Sequence, residues 1–219
     1  MTVRLLLVSI LCCLPHTWVQ AQFRYCMSYA DYQADNWVEL DTLKLRGRGF
    51  AHRIRTGNDS LNKVIRDEAF AISYHDTLLI NMAHMYYAGE NFGNGYVPAY
   101  TFGNGQLCFT NFLPGRNDNA VFVPVGGGLV GGILSGVLAG AAVALTSSDA
   151  LKGKTYCFLL KREYDGGRKE ARIINDDYMK RYEKNSPEFY AEYMSVKKKK
   201  KRESATHIFP LLKDWQLIK

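Results

Sequence analysis

AFAISYHDTLLINM, residues 69–82, decides the fold class. Two runs rich in β-branched and aromatic residues, Ala69 to His75 and Leu78 to Met82, are broken only by Asp76-Thr77. Turn-forming residues between two such runs specify a β-hairpin. A hairpin makes its strands antiparallel, so the body is read as an antiparallel sheet running from Phe50 to Ile174.

Upstream, FAHRIR (50–55) reads as a strand, and Asp59-Ser60 opens a short helical pattern through Leu61, Val64 and Ile65. The preceding stretch, Gln22 to Leu45, is polar and aromatic with weak periodicity, and we read it as irregular. Downstream, FGNG occurs twice, at Phe92 to Gly95 and at Phe102 to Gly105. Asn-Gly suits turns that require positive φ. The second copy, between YVPAYT and QLCFTNF, reads as a tight hairpin, and the first as the turn that feeds it. Neither copy opens a helix or has a Lys-Ser or Lys-Thr partner, so neither is a phosphate-cradling loop.

Val121 to Val125 is another β-branched run, and it leads into VGGGLVGGILSGVLAGAAVAL, residues 125–145, which carries no charge. Gly128, Gly132, Gly136 and Gly140 lie four apart and would share one helical face, a pattern that lets another backbone approach closely. Twenty-one helical residues at 1.5 Å each extend about 32 Å, enough for hydrocarbon of about 30 Å. Seven glycines weaken an isolated helix by about 1 kcal/mol each in water, so the segment needs a close partner. That partner is a second copy in a membrane, the protein's own sheet, or a folded-back half of the same segment. A single span would place Lys152, Lys154, Lys161 and Arg162 on the cytoplasmic side, as the positive-inside rule requires. It would also split the β segments across the bilayer.

After this segment, Tyr156 to Leu160 and Ala171 to Ile174 read as strands around a turn at Asp165-Gly166-Gly167. Helical patterns follow at Asp176 to Tyr182, Pro187 to Met194 and Ser204 to Leu212, with Ser186 as N-cap before Pro187 at the first turn. The expected class is therefore α+β. Its parts are a signal peptide (1–21), a β-rich N-terminal part (22–124), a glycine-zipper segment (125–146), returning strands (147–174), and C-terminal helices with a basic run (175–219).

The leader expectation rests on Arg4, the apolar run Leu5 to Leu14, and Val19-Gln20-Ala21, which has the residues a signal peptidase reads. An uncleaved anchor is the alternative. The net charge is +7, but Lys197 to Lys201 and Arg202 supply six of those charges. One local run of this kind reads as a solvated linker or helix end, not as the spread basic face of a nucleic-acid reader. Beyond the leader remain Cys26, Cys108 and Cys157. Export favours one disulfide with one thiol left over, and the apolar strand-like runs around Cys108 and Cys157 make them the expected pair. Two buried free thiols are the alternative.

SYADYQADNWVELDTL (28–43), DEAFAISYHDTLLIN (67–81), FGNGY (92–96), QLCF (106–109) and RIINDDYMKRY with PEFYAEY carry a resemblance across nearly the whole chain past the leader. In these segments it resembles a family of exported, functionally uncharacterised proteins of Bacteroides-type bacteria. The resemblance implies an exported envelope protein and supplies no activity, cofactor or catalytic residue. Asp41-Thr42-Leu43, Asp59-Ser60-Leu61 and Asp76-Thr77-Leu78 also look like the three-residue O-glycosylation pattern of such bacteria, and equally like helix or turn caps.

A convergent catalytic set is missing from the sequence. His52, His75, His84 and His207 are scattered without metal-ligand spacing, and no Gly-X-Ser-X-Gly occurs. We therefore expect no metal, no cofactor and no nucleic-acid partner. The leading expectation is a periplasmic or membrane-associated envelope protein that anchors or oligomerises through the glycine face, with itself or another envelope protein as partner. The alternative is a soluble periplasmic protein that binds a small ligand or acts as an enzyme, with the zipper buried in its core.

Overall fold

The computed structural model describes residues 23–48, 51–114, 155–161 and 169–219. Within them the chain is α+β, as the hairpin reading required. Its strands are β1 (Phe23–Cys26), β2 (Val38–Leu40), β3 (Lys44–Arg48), β4 (Ala51–Arg55), β5 (Ala71–Tyr74), β6 (Thr77–Asn81), β7 (Met85–Tyr87), β8 (Glu90–Asn91), β9 (Tyr96–Thr101), β10 (Leu107–Phe112), β11 (Thr155–Leu160) and β12 (Lys169–Ile173). Helices α1 (Tyr29–Gln33) and α2 (Asp59–Asp67) lie among the early strands. The C-terminal set is α3 (Asp176–Met179), α4 (Tyr182–Asn185), α5 (Pro187–Met194), α6 (Lys199–Arg202) and α7 (Ala205–Asp214).

The spatial order is β2-β1-β5-β6-β9-β10-β11-β12-β7-β8, with β4 joining β3 to β9. Every pairing is antiparallel except β12 with β7. Because β7 follows β6 after only a single 3-10 turn (Met82–His84), yet pairs with β12 at the far end of that path, the sheet curls back on itself. The curl encloses Phe70, Met82, Met85, Phe109, Phe158 and Leu160. Alternation assigns the other face. Cys108, Cys157 and Leu159 point outward beneath Phe189, Ile208 and Leu212 of the C-terminal helices, while Ile72 and Leu79 meet Ile65 of α2. Period-two side-chain direction is what lets one strand serve both cores.

Two turns behave as the dipeptides predicted, with small shifts. The hairpin loop is His75-Asp76 closed by the Tyr74–Thr77 pair, so it lies one residue earlier than Asp76-Thr77, and His75 has φ +50°. The second FGNG forms the β9–β10 hairpin, where Phe102 and Gln106 bond across the turn and Gly105 has φ +80°. The stretch from Gln22 to Leu45 is not irregular. It holds β1, α1, β2 and the start of β3, with Ser28 accepting from the Asp31 amide as N-cap. These strands are three to five residues long, too short to display a period. Ser186 precedes α5 with Pro187 at the first turn, but its side chain makes no cap bond.

The glycine segment and the turn at Asp165-Gly166-Gly167 lie outside the described residues. The strands flanking the glycine segment are described, and Phe112 of β10 pairs with Thr155 of β11 in a ladder of five residue pairs. Chain leaving Phe112 thus returns to the adjacent position on the same side of the sheet. The single-span reading of residues 125–145 falls on the glycine segment and so lies outside the described residues. Among the described residues no helix is long and apolar enough to cross a membrane.

The basic run also needs correction at its end. Lys199, Lys200 and Lys201 are exposed on α6, but Arg202 is buried and grips Asp176.

Candidate functional site

Where β1, β5, β6 and β9 approach the end of α7, they border an open hollow of about 510 Å³. The volume lies within the usual range for small-ligand sites. Arg24 comes from β1, His75 and Asp76 from the hairpin loop, Tyr100 and Thr101 from β9, and Lys213 and Lys219 from the chain's last turn and tail. Tyr32 of α1 and Trp37 of the loop before β2 supply the aromatic wall.

The tail is held as an edge strand. The Thr101 and Lys219 amides each donate to the other residue's carbonyl, at 2.9 and 3.0 Å, and the Gly103 amide donates to Leu217 at 2.8 Å. It can join there because β6 begins only at Thr77, which leaves the end of β9 uncovered on that side. Lys219 is thereby fixed at the rim.

Arg24 is oriented by stacking. Its guanidinium carbon lies 4.8 Å from the Trp37 ring centre, a cation–π contact that leaves the planar N–H fork available. Asp35 stands 3.8 Å away but is 81% exposed, so water screens that pair. Tyr32 meets Trp37 edge-on, with ring planes at 86°, and its hydroxyl is 3.4 Å from that of Thr101. Tyr100 packs edge-on against Phe209, and burial pushes its phenol above the ordinary value. The lining therefore has three cationic side chains, Arg24, Lys213 and Lys219, against the single carboxylate of Asp76.

The remaining residues singled out by the sequence sit elsewhere. His52 is half-buried on β4, and desolvation lowers its pKa. The His84 ring nitrogen is 2.6 Å from the Asp67 carbonyl, and that of His207 is 3.1 Å from the Tyr193 carbonyl. Only His75 of the four reaches the hollow. Among the described residues no three His, Cys, Asp or Glu side chains group to hold a metal. Gly128, Gly132, Gly136 and Gly140 lie outside the described residues.

Cys26, Cys108 and Cys157 are buried free thiols. Cys108 is in register with Leu159 and Cys157 with Thr110, so the expected disulfide partners are diagonal neighbours on one face. Burial, with the neighbouring Cys108 thiol, raises the Cys157 pKa. Diagonal cross-strand positions are about 7–8 Å apart, beyond the Cα separation of about 7 Å that a disulfide spans without backbone movement.

Sequence reasoning also missed Lys169. It stands in register with Met85 inside the curled sheet, 6% exposed, with Nζ 3.9 Å from the Phe70 ring centre. Burial lowers its pKa to about 8. It belongs to the inner core, not to the hollow.

A family model matches residues 24–219. The chain belongs to the family of unknown function DUF6563. No curated protein and no solved structure matches the chain significantly. All of the residues lining the hollow fall within the matched residues, from Arg24 at the first matched position to Lys219 at the last.

Proposed function

We propose that this DUF6563 protein is an exported ligand-binding protein whose groove takes a small anionic molecule. The observation that supports the reading is the gathering of Arg24, Lys213 and Lys219 with Tyr32, Trp37 and Tyr100 around one hollow. Concave sites with aromatic walls and a few placed polar groups are where small ligands bind, and an Arg fork favours carboxylate or phosphate. Export remains part of the proposal. It rests on the leader pattern, with the family match beginning at Arg24, close behind the expected cleavage after Ala21.

Titration calorimetry with paired acidic and neutral small molecules tests this reading. We expect the acidic members to bind, with affinity reduced at least tenfold in Arg24→Gln and in Lys213→Gln. Neutral and acidic members binding alike, or variants binding like the parent, would overturn it.

The four-residue glycine spacing supports a second reading, in which residues 125–145 mediate self-association or attachment at the cell envelope. The β10–β11 ladder restricts that reading to a segment whose two ends stay on one side. Fractionation tests it: release from membranes by carbonate, together with a monomeric mass, would remove it.

A further inference from the structure

We infer that the groove's ligand is an acidic sugar, a pyranose or short oligosaccharide bearing a carboxylate. The inference rests on the binding reading above and narrows it by chemistry.

Charge comes first. The Arg24 guanidinium, 4.8 Å from the Trp37 ring centre, carries N–H donors that can match the two oxygens of a carboxylate. Lys213 and Lys219, both exposed, add positive charge at the rim. Asp76 is the one opposing side chain in the lining.

Shape decides between the anionic classes. A nucleobase or other flat aromatic acid is best held between parallel rings. The aromatic wall here is a corner, because Tyr32 stands at 86° to Trp37 and Arg24 already lies over the Trp37 ring. An angled corner suits a puckered ring, which offers C–H surface to one aromatic body and hydroxyls to the other wall.

Hydrogen bonding points the same way. Ser73, Thr77, Thr101, Tyr32 and Tyr100, all bearing a hydroxyl, are among the residues that line the hollow. A hydroxyl can donate once and accept twice; the Tyr32 and Thr101 hydroxyls stand 3.4 Å apart, and the Ser73 hydroxyl donates to the His75 carbonyl at 3.5 Å. A dense set of neutral hydroxyls matches a polyol better than a phosphate, which only accepts. The ring hydroxyls of a sugar would thus meet β5, β6 and β9 while its carboxylate faces Arg24.

The test titrates the full-length protein with digalacturonate, its neutral counterpart galactobiose, adenosine monophosphate and inorganic phosphate. Digalacturonate is expected to bind at least tenfold tighter than galactobiose and to lose at least tenfold in both Trp37→Ala and Arg24→Gln, with melting temperatures of both variants checked against the parent. Because Trp37→Ala also removes the support under Arg24, Thr101→Val serves as a second variant and should weaken digalacturonate alone. If the nucleotide or phosphate binds in an Arg24-dependent way and digalacturonate does not, the sugar inference falls and the anion reading stands. If galactobiose binds as well as digalacturonate, or nothing binds, both fall.

Discussion

Arg202 reaches back across 26 residues to clamp Asp176, with Nε 2.8 Å from Oδ1 and Nη2 2.6 Å from Oδ2. The Tyr193 hydroxyl donates to the same Oδ1 at 2.7 Å, and Arg202 Nη1 donates to the Val196 carbonyl at 2.9 Å. One guanidinium therefore ties α3, α5 and the lysine-rich link to α6. The Arg202 side chain is 9% exposed. Arg202→Met leaves Asp176, 27% exposed, without its guanidinium and removes the donor to the Val196 carbonyl, so it should destabilise the fold by about 2 kcal/mol. Arg202→Lys should recover only part of this, because an ammonium cannot reproduce the two parallel bonds. Urea denaturation of both variants measures it, and parental stability in Arg202→Met would show that the clamp is incidental.

The same pair sets an acid limit. Hydrogen bonds from Arg202 hold the Asp176 carboxyl below its ordinary value of 3.8. A carboxyl whose pKa is depressed on folding contributes stability that is complete above the unfolded value and is lost as pH falls through the folded one. Stability should therefore decline on acidification through and below 3.8, and Asp176→Asn should flatten that part of the profile. Melting temperatures between pH 6 and pH 2.5 (about, spanning the carboxylate range) give the comparison; parallel curves would reject the assignment.

Asn81 fastens α2 to the sheet. It is 1% exposed, and its amide donates to the Arg66 and Ala69 carbonyls at 3.1 and 2.9 Å while its oxygen accepts from the Ala83 amide at 3.0 Å. Tyr96 adds a 2.5 Å bond to the Ile65 carbonyl. The Ile65 and Arg66 carbonyls lie in the last turn of α2, where a helix leaves its carbonyls unpaired, and Ala69 follows its C-cap. Asn81→Leu has similar bulk but leaves them buried without that donor, which should cost about 2–3 kcal/mol. Amide exchange should show faster opening at α2. Unchanged protection there would count against Asn81 as the fastener.

How much of this was readable in the sequence differs by element. The β5–β6 and β9–β10 hairpins were legible because each couples alternating apolar residues to turn chemistry within fifteen residues or so. The N-terminal strands were not, since β2 has only three residues and its stability comes from pairing with β1. Nor was the clamp, because Arg202 looks like the last member of a solvated lysine run until its partner 26 residues earlier is placed. The groove was the least legible. Arg24, Tyr32, Trp37, Tyr100 and Lys213 have no common spacing, and only the curl of the sheet and the docking of the tail on β9 bring them together.

The diagonal placement of Cys108 and Cys157 predicts that Cys26, Cys108 and Cys157 are all thiols in the folded protein. All three cysteines are at most 1% exposed, and burial pushes the Cys26 thiol up to about 12, which suppresses the reactive thiolate. Maleimide should label none of Cys26, Cys108 and Cys157 in the native state and all three after denaturation without reductant. Labelling of Cys26 alone after denaturation would instead establish a Cys108–Cys157 bond and require the β10–β11 register to shift.

The two glycines Gly89 and Gly95 separate backbone conformation from close packing. Both have positive φ, +85° at Gly89 and +113° at Gly95. A methyl group at Gly89 would meet nothing within 4 Å, so Gly89→Ala carries only the conformational cost of about 1–2 kcal/mol. At Gly95 the new carbon would lie 2.8 Å from the Ala51 side chain and 3.3 Å from the His52 carbonyl. The neighbour is strand β4, which meets β9 there at the His52–Tyr96 pair, so relief requires moving backbone. The Gly95 carbonyl also accepts the Met82 amide at 2.8 Å and anchors the turn from β6 into β7. Gly95→Ala should therefore cost about 2–4 kcal/mol, more than Gly89→Ala, as strain and overpacking combine. Ala51→Gly in the Gly95→Ala background removes the closest atom and should restore part of the loss. Equal destabilisation by the two alanine variants, with no rescue by Ala51→Gly, would mean that φ alone governs Gly95 and that the β4–β9 approach contributes nothing.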